Sequence, residues 1–336
     1  MQNGLEKQEI SASQRFMNKV MAEFGSGVGE VALTAFQKRL AQNYFIAIDA
    51  TLRVTEEKRV KKPEKYRDAL AVTWNNVNLE KLARDVVTMA RVGFDPSQKN
   101  HIHMMPFKNN NLNKYDIVFI EGYRGIELKA TKYGLSVPDS VTVELVYKND
   151  RFKSIKKDHN NPYESYEFEI LNDFDRGDIV GGFYYHSYKD TPEKNKLVVM
   201  SLKEIEKRRP QHASTEFWGG EKDVWERDPD TGKNRKTGTE TVDGWYEKMV
   251  WKTVYRAAYS DLTIDSQKID DDYMRLKQME DALEEAQVEQ EVSQNANKTL
   301  IDVDYTVVDD AVPEEPQPQP KEDRTEDHVM TGAPPF

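Results

Sequence analysis

The sequence predicts an α+β fold: a helical N-terminal part, a central, mostly antiparallel sheet with packed helices, and a disordered acidic tail. Three observations carry this. Apolar residues recur at three- and four-residue spacing through the first third of the chain, then alternate with polar ones in short runs from about residue 100 to residue 201, and become scarce from Ser293 onward.

In chain order, Ser13 to Phe24 forms the first helix, Gly25, Gly27 and Gly29 break the chain, and Glu30 to about Leu52 forms the second helix. Arg53 to Arg67 carries seven Lys or Arg and three Glu, and reads as a basic arm touching phosphates or as a solvated connection. Asn78 is placed to cap a third helix through Leu82, Val86, Met89 and Ala90, which Gly93 and Pro96 end. Asn100 to Phe107 and Tyr115 to Ile120 are strands joined by the turn Asn109 to Asn113. Gly122 then turns the chain into a helix from Arg124 to Tyr133, closed by Gly134. Strands resume at Val141 to Tyr147, Ser165 to Leu171, Ile179 to Ser187 and Leu197 to Ser201, with hairpin-length links that favour antiparallel pairing. After a helix near Leu202 to Arg209, the charged, turn-rich segment Gly219 to Asp243 reads as an exposed hairpin or flexible loop. The helix within Gly244 to Ser260 follows, and Ser266 to Val292 is a charged helix with a thin apolar seam of Ile269, Tyr273, Leu276, Met279 and Leu283. Beyond Ser293 the chain holds six of its fourteen prolines and too little apolar surface to offset ordering. Four segments result: 1–29, a helix and Gly-rich joint; 30–268, the core; 269–292, the charged helix; and 293–336, the tail.

Of the 336 residues 38% are hydrophobic, enough for a core in one large or two modest domains. No run approaches a membrane span, and Met1 to Ser11 is polar, so neither a membrane partner nor a secretory signal is expected. Zero cysteines exclude a disulfide framework and a thiolate zinc site, and cytoplasmic localisation is the expectation. The net charge of −11 conceals an asymmetry: from Ile269 onward 19 acidic residues face 5 basic ones, whereas the rest holds 43 basic against 40 acidic. A near-neutral body with basic clusters can bind phosphates while the acidic end repels or competes with nucleic acid.

The basic clusters are specific in placement. On a helix through Gly244 to Ser260, Tyr246, Met249, Val250, Thr253, Val254, Ala257 and Ala258 share one face, while Trp245, Lys248, Lys252, Arg256 and Tyr259 fall on another. Cations three or four residues apart, with an aromatic at each end, suit regularly spaced phosphates and stacking bases; they equally suit a solvated charged face. The turn Gly122-Tyr123-Arg124-Gly125 places Tyr123 and Arg124 at a helix start, with Lys129 and Lys132 on one face beyond, where amides and cations can meet an anion. Alternatively the glycines serve the turn and Tyr123 packs in the core. No Gly-rich loop ends in Gly-Lys-Ser or Gly-Lys-Thr, which disfavours an ATP-driven motor. His101 and His103, two apart on a predicted strand, would share a face, but no third metal ligand has an obvious spacing.

In this order, Asn100-His101-Ile102-His103-Met104-Met105-Pro106-Phe107, Gly122-Tyr123-Arg124-Gly125-Ile126-Glu127-Leu128, and Asp243-Gly244-Trp245 with Lys252-Thr253-Val254 resemble the RecT family of phage-type single-strand annealing proteins, over roughly Glu30 to Ile269. Arg124 stands where the family often has Lys. The resemblance implies an ATP-independent, phage or prophage protein of homologous recombination and repair that coats single-stranded DNA as an oligomer and anneals it. It also implies a partner exonuclease that exposes the strand. No cofactor is required in that picture, with magnesium as a modulator of DNA binding. Tyr123, Arg124, Lys129, Lys132, Trp245, Lys248, Lys252 and Arg256 are then the DNA-binding residues, and the role of the insertion Asp228 to Glu240 stays open. Pairing needs no energy supply, since stacking contributes about 1.4 kcal/mol per base-pair step. The ending Ala333-Pro334-Pro335-Phe336 resembles the tip of bacterial single-strand-binding proteins, which makes Pro335 and Phe336 candidates for docking host single-strand-binding machinery, although the acids lie further back, at Glu322 to Asp327. A passive single-strand-binding protein and a metal-dependent nuclease are the competing readings.

Overall fold

The computed structural model describes residues 11–26, 34–210, 213–227 and 234–295; the joint at 27–33, the tip of the charged hairpin at 228–233 and the tail from 296, with Pro335 and Phe336, lie outside the described residues. Residues 1–287 form one unit, and of the second, 288–336, only the helical stretch 288–295 is described.

Helices α1 (Ala12–Ser26), α2 (Ala35–Lys61) and α3 (Leu79–Val92) build the first layer. Thr34 opens α2 with a capping box, its hydroxyl accepting from the Gln37 amide while the Gln37 side chain accepts from the Thr34 N–H. Contrary to the expected end near Leu52, α2 continues to Lys61 through most of the basic stretch. The added turns are supported by Arg53 on Asp49, Arg59 on Glu56, and Lys58, Arg59 and Lys61 at the negative end of the helix, before Pro63 ends it. Asn78 caps α3, as its position predicts.

Among the described residues the strands pair antiparallel, as expected, and are divided among four small sheets. The hairpin β1 (Ile102–Asn109) and β2 (Lys114–Glu121) leads into α4 (Tyr123–Tyr133). A three-stranded sheet orders β3 (Ser140–Tyr147), β6 (Ile179–Ser187) and β7 (Lys196–Ser201). Beside it, β4 (Arg151–Ile155), which the sequence reading missed, pairs β5 (Ser165–Glu169). The short helices α5 (Leu202–Glu206) and α6 (Thr215–Trp218) precede β8 (Gly220–Arg227) and β9 (Asn234–Val242), the hairpin form of the charged segment. Last come α7 (Tyr246–Ser260) and α8 (Asp271–Asn295).

Alternation puts the two faces of the three-stranded sheet to different uses. Leu145, Tyr184 and Met200 meet Val250, Val254 and Ala258 of α7, while Val146, Phe183 and Leu197 meet Phe152, Tyr166 and Phe168 of the β4–β5 hairpin. A β-carbon at Gly182 would lie 2.9 Å from Val254 Cγ2, so the missing side chain lets α7 sit close to the sheet. His186, buried on β6, bonds the Ala258 carbonyl at 2.9 Å, and burial pushes its pKa down. A separate core joins Phe16, Tyr44, Leu82, Phe94 and Ile117 with Leu276 of α8. Helix α8 begins at Asp271 rather than Ser266 because the Asp270 carboxylate accepts the Tyr273 N–H at 2.8 Å. Of its expected seam, Tyr273, Leu276 and Met279 pack on that core, whereas Ile269 is 37% exposed.

Candidate nucleic-acid interface

The first turn of α4 lies against the chain just before β1. Gly122 and Arg124 N–H groups donate to the His101 and Asn100 carbonyls, at 3.0 and 3.2 Å. A β-carbon at Gly122 would stand 1.9 Å from the Asn100 oxygen, and one at Gly125 2.2 Å from that of His101. The glycines thus serve close backbone approach. The amides of Gly122 and Arg124 are thereby taken up within the protein, which leaves fewer of them for an anion at the helix start. His101 precedes β1, is buried, and accepts the Asp95 N–H on Nδ1 at 3.2 Å, while His103 is exposed. They do not share a face, because alternation starts only at Ile102. Desolvation lowers the pKa of both, and for His103 the Lys252 ammonium adds to the fall.

On α7 Val250, Val254 and Ala258 of the apolar stripe are buried and Tyr246, Met249, Thr253 and Ala257 are half-buried, while Trp245, Lys248 and Arg256 are exposed, Trp245 by 65%. Tyr259 departs from the expected outer face. Its hydroxyl donates to Glu127 of α4 at 3.1 Å, beside that of Tyr255 at 2.6 Å; burial and the carboxylate push the Tyr259 pKa up to about 12. Tyr255 and Trp251, which the sequence reading left unassigned, form with Tyr123 an aromatic cluster with ring centroids 4.9 to 5.9 Å apart. The 251, 255, 259 spacing was the available signal. Lys252 Nζ lies 5.8 Å from the centroid of the Tyr123 ring, within cation–π range.

Beside this seam a cleft of about 1060 Å³ opens between α7 and β3. Its wall includes Trp245, Trp251, Tyr147 and Lys248, with Glu144, Asp178, Asp243 and Glu247 as carboxylates. Arg176 also faces it, stacked 4.0 Å from the Tyr147 centroid, but its Nη2 is bound to buried Asp150 at 2.7 Å. The acids of its wall disfavour phosphate inside the cleft; Lys248 stands on that wall, whereas Arg124, Lys252 and Arg256 are not part of its lining.

Two of the predicted contacts are engaged by other groups of the protein, Lys129 half-buried and Lys132 at the surface. Lys129 Nζ sits 2.9 Å from Glu121 and 2.5 Å from Glu280, with 18% of its side chain exposed. Desolvation pulls this ammonium down, but the two carboxylates outweigh it and hold it above the usual lysine range. Lys132 donates to the Arg91 and Val92 carbonyls, at 3.0 and 3.3 Å, neutralising the C-terminal end of α3. Burial pushes the Glu121 carboxyl up to about 7, against the pull of Lys129, and one of its oxygens has no hydrogen-bond partner. Its folded pKa exceeds its ordinary 4.5, so its contribution to stability is present below about pH 4.5 and lost as pH rises through 7. Glu121→Gln is expected to flatten that decline, read as urea midpoints between about pH 5 and pH 8; a variant falling in parallel with the intact chain would remove Glu121 from this role.

Residues 64–292 match the RecT family, from the end of the α2 connection to near the end of α8. The chain belongs to the RecT family. RecT proteins anneal single-stranded DNA in recombination. No curated protein and no solved structure matches the chain. The RecT match begins later than Glu30 and ends beyond Ile269, so it includes most of α8 but excludes α1 and α2. These helices nonetheless complete the core of this RecT protein: Tyr44 of α2 donates to the Phe94 carbonyl at 2.8 Å, and Phe16 of α1 packs on Trp74 at 5.7 Å. Among the described residues no helix is long and apolar enough to cross a membrane, and no group of three or more His, Asp or Glu is placed to hold a metal.

Proposed function

We propose that this RecT protein binds single-stranded DNA along the outer ridge of α7 and the first turn of α4, and pairs complementary strands without nucleotide hydrolysis, as an oligomer on DNA. The observation that carries this is the placement of Lys252 over Tyr123, which makes α4 and α7 one surface. On it Arg124, Lys248 and Arg256 are exposed and form no ion pair with a described residue. These cations hold phosphates, Trp245 offers a ring for stacking, and the acid-lined cleft beside them favours base edges over backbone. Lys129 and Lys132, engaged elsewhere, are left out of the surface. Pairing is downhill, so the protein only extends and aligns strands; no covalent catalysis is invoked, and magnesium acts through phosphate screening. A partner exonuclease supplies the strand, and the origin is phage or prophage.

Two complementary labelled oligonucleotides mixed with the intact chain, without nucleotide, test the reading by fluorescence. Accelerated pairing is expected. Binding that slows pairing makes the protein a passive coat, and loss of input DNA in magnesium makes it a nuclease. Trp245→Ala is expected to weaken single-strand binding by about 1–3 kcal/mol, the range for a stacked base, while leaving the unfolding midpoint in place because the ring is exposed. Unchanged affinity in a fluorescence anisotropy titration would remove Trp245 from the binding surface.

A further inference from the structure

The C-terminal end of α2 carries a basic patch that the α4–α7 surface does not use. Residues 56–67 hold six basic and three acidic side chains, a net charge of +3. The two arginines among them are engaged within the protein. Arg59 pairs with Glu56 and donates to the Asp68 carbonyl at 2.6 Å, and Arg67 donates to the Val60 and Lys62 carbonyls at 2.8 and 3.2 Å. The four lysines, Lys58, Lys61, Lys62 and Lys65, are exposed, and none of their ammonium groups hydrogen-bonds or ion-pairs with a described residue. The helix dipole accounts for cations at Lys58 and Lys61 but not for Lys62 and Lys65, which follow the last turn. Exposed Glu57 and Glu64 lie beside them without cancelling the charge. Lys58, Lys61 and Lys62 share a face at helical spacing within about 6 Å along the axis, a length that spans about two phosphates of one strand. Lys65 Nζ lies 5.7 Å from the centroid of the Tyr66 ring, which is 69% exposed. The fold sets this patch apart from the α4–α7 surface. Lys108, near the turn of the β1–β2 hairpin, bonds Asp68 at 2.8 Å, whereas the first turn of α4 meets the chain before Ile102, about 20 Å of strand away. On β1 between them the exposed side chains are His103 and Met105, and desolvation lowers the His103 pKa, so no cation joins the two along this strand.

We infer that this patch binds the backbone of a second DNA strand while the first lies on the α4–α7 surface. Lys58, Lys61, Lys62 and Lys65 hold its phosphates, and Tyr66 offers a ring to one base. The gap without cations interrupts the track for a single backbone, whereas pairing brings two polyanionic backbones to one protein. Two sites on one chain raise the local concentration of the second strand beside the first. The inference rests on the proposed function for the site of the first strand and adds the place where the complement is captured.

The test uses the full-length variant Lys58→Gln/Lys61→Gln/Lys62→Gln/Lys65→Gln, altered only at exposed positions and checked for an unchanged thermal transition, beside the same four positions changed to Arg. Fluorescence anisotropy with a labelled single strand in limiting amount reads capture of the first strand, and the Gln variant is expected to match the intact chain within about twofold. Protein loaded with that strand is then mixed with an excess of the complement. Pairing should be about tenfold slower in the Gln variant at 0.1 M salt, the deficit should shrink as salt rises, and the Arg variant should pair at the intact rate. Equal pairing rates in the Gln variant and the intact chain overturn the proposal, as does an Arg variant as slow as the Gln variant. First-strand affinity lost in the Gln variant overturns it too, because the lysines then extend the track of the first strand. An unchanged pairing rate together with lost binding to phosphatidylserine vesicles assigns the patch to an anionic membrane surface instead. Failure of the proposed function shows separately, as an intact chain that does not bind the first strand or does not accelerate pairing, and it removes the second-strand assignment with it.

Discussion

Lys248→Ala/Lys252→Ala/Arg256→Ala is expected to weaken single-strand binding about a hundredfold at 0.1 M salt and to abolish accelerated pairing. The size follows from counterion release. For single strands the logarithm of affinity falls by about 0.7 per phosphate contact for each tenfold rise in salt, so three contacts contribute roughly two decades between 1 M and 0.1 M. The same arithmetic makes the loss disappear near 1 M and reduces the salt slope by about 2. The loss should be equal for oligonucleotides of different sequence, because phosphate contacts carry no sequence information. Lys132→Ala is the control: its ammonium is spent on the C-terminal carbonyls of α3, so it should leave the slope untouched. Affinity measured against salt for both variants decides the matter. An unchanged slope in the triple variant, or an equal change in the control, would move the binding surface away from α7.

Gly122→Ala carries the second large effect, on stability. Its β-carbon would stand 1.9 Å from the Asn100 oxygen and 2.4 Å from the carbonyl carbon, a backbone overlap that no side-chain rotation relieves. To accept it, α4 must withdraw from residues 100–101, breaking the hydrogen bonds from Gly122 and Arg124 and shifting Tyr123 from Trp251 and Tyr255. Overpacking typically costs about 1–3 kcal/mol, and with bonds lost as well at least about 3 kcal/mol is expected. Urea unfolding measures it; a loss below about 1 kcal/mol would mean that α4 does not approach residues 100–101 this closely. Annealing should fall further than stability alone requires, because Lys252 would lose the Tyr123 ring.

The α7 stripe was legible because helical spacing is set by the backbone: once Val250, Val254 and Ala258 repeat every four residues, a helix buries them whatever the neighbour. The caps at Asn78 and the α+β order were legible for similarly local reasons. Glycines at 122 and 125 marked a turn, yet the carbonyls they admit come from residues 100–101, more than twenty positions away, and no spacing reports such a distance. Lys129 and Lys132 read alike because a lysine is the same letter whether it meets the carboxylates of Glu121 and Glu280, as Lys129 does, or lies exposed against the carbonyls that end α3, as Lys132 does. Glu280 reaches Lys129 only because α8 packs back on the first core, with Arg275 and Arg91 pairing Asp85 and Asp272. Arg176 was missed for the converse reason, being an isolated cation in a turn that acquires Asp150 and Tyr147 through folding.

By itself, the sequence determined the fold class, the order of most helices and strands, the cationic ridge of α7 and the motifs of the RecT family, all of which are fixed by local periodicity, capping chemistry and short-range spacing. Tertiary structure alone decided which of those cations remain available, which aromatics close around Tyr123, and where an acid-lined cleft opens beside the ridge. Partners in contact across a core are chosen by how elements pack, and packing joins residues whose separation along the chain carries no signal.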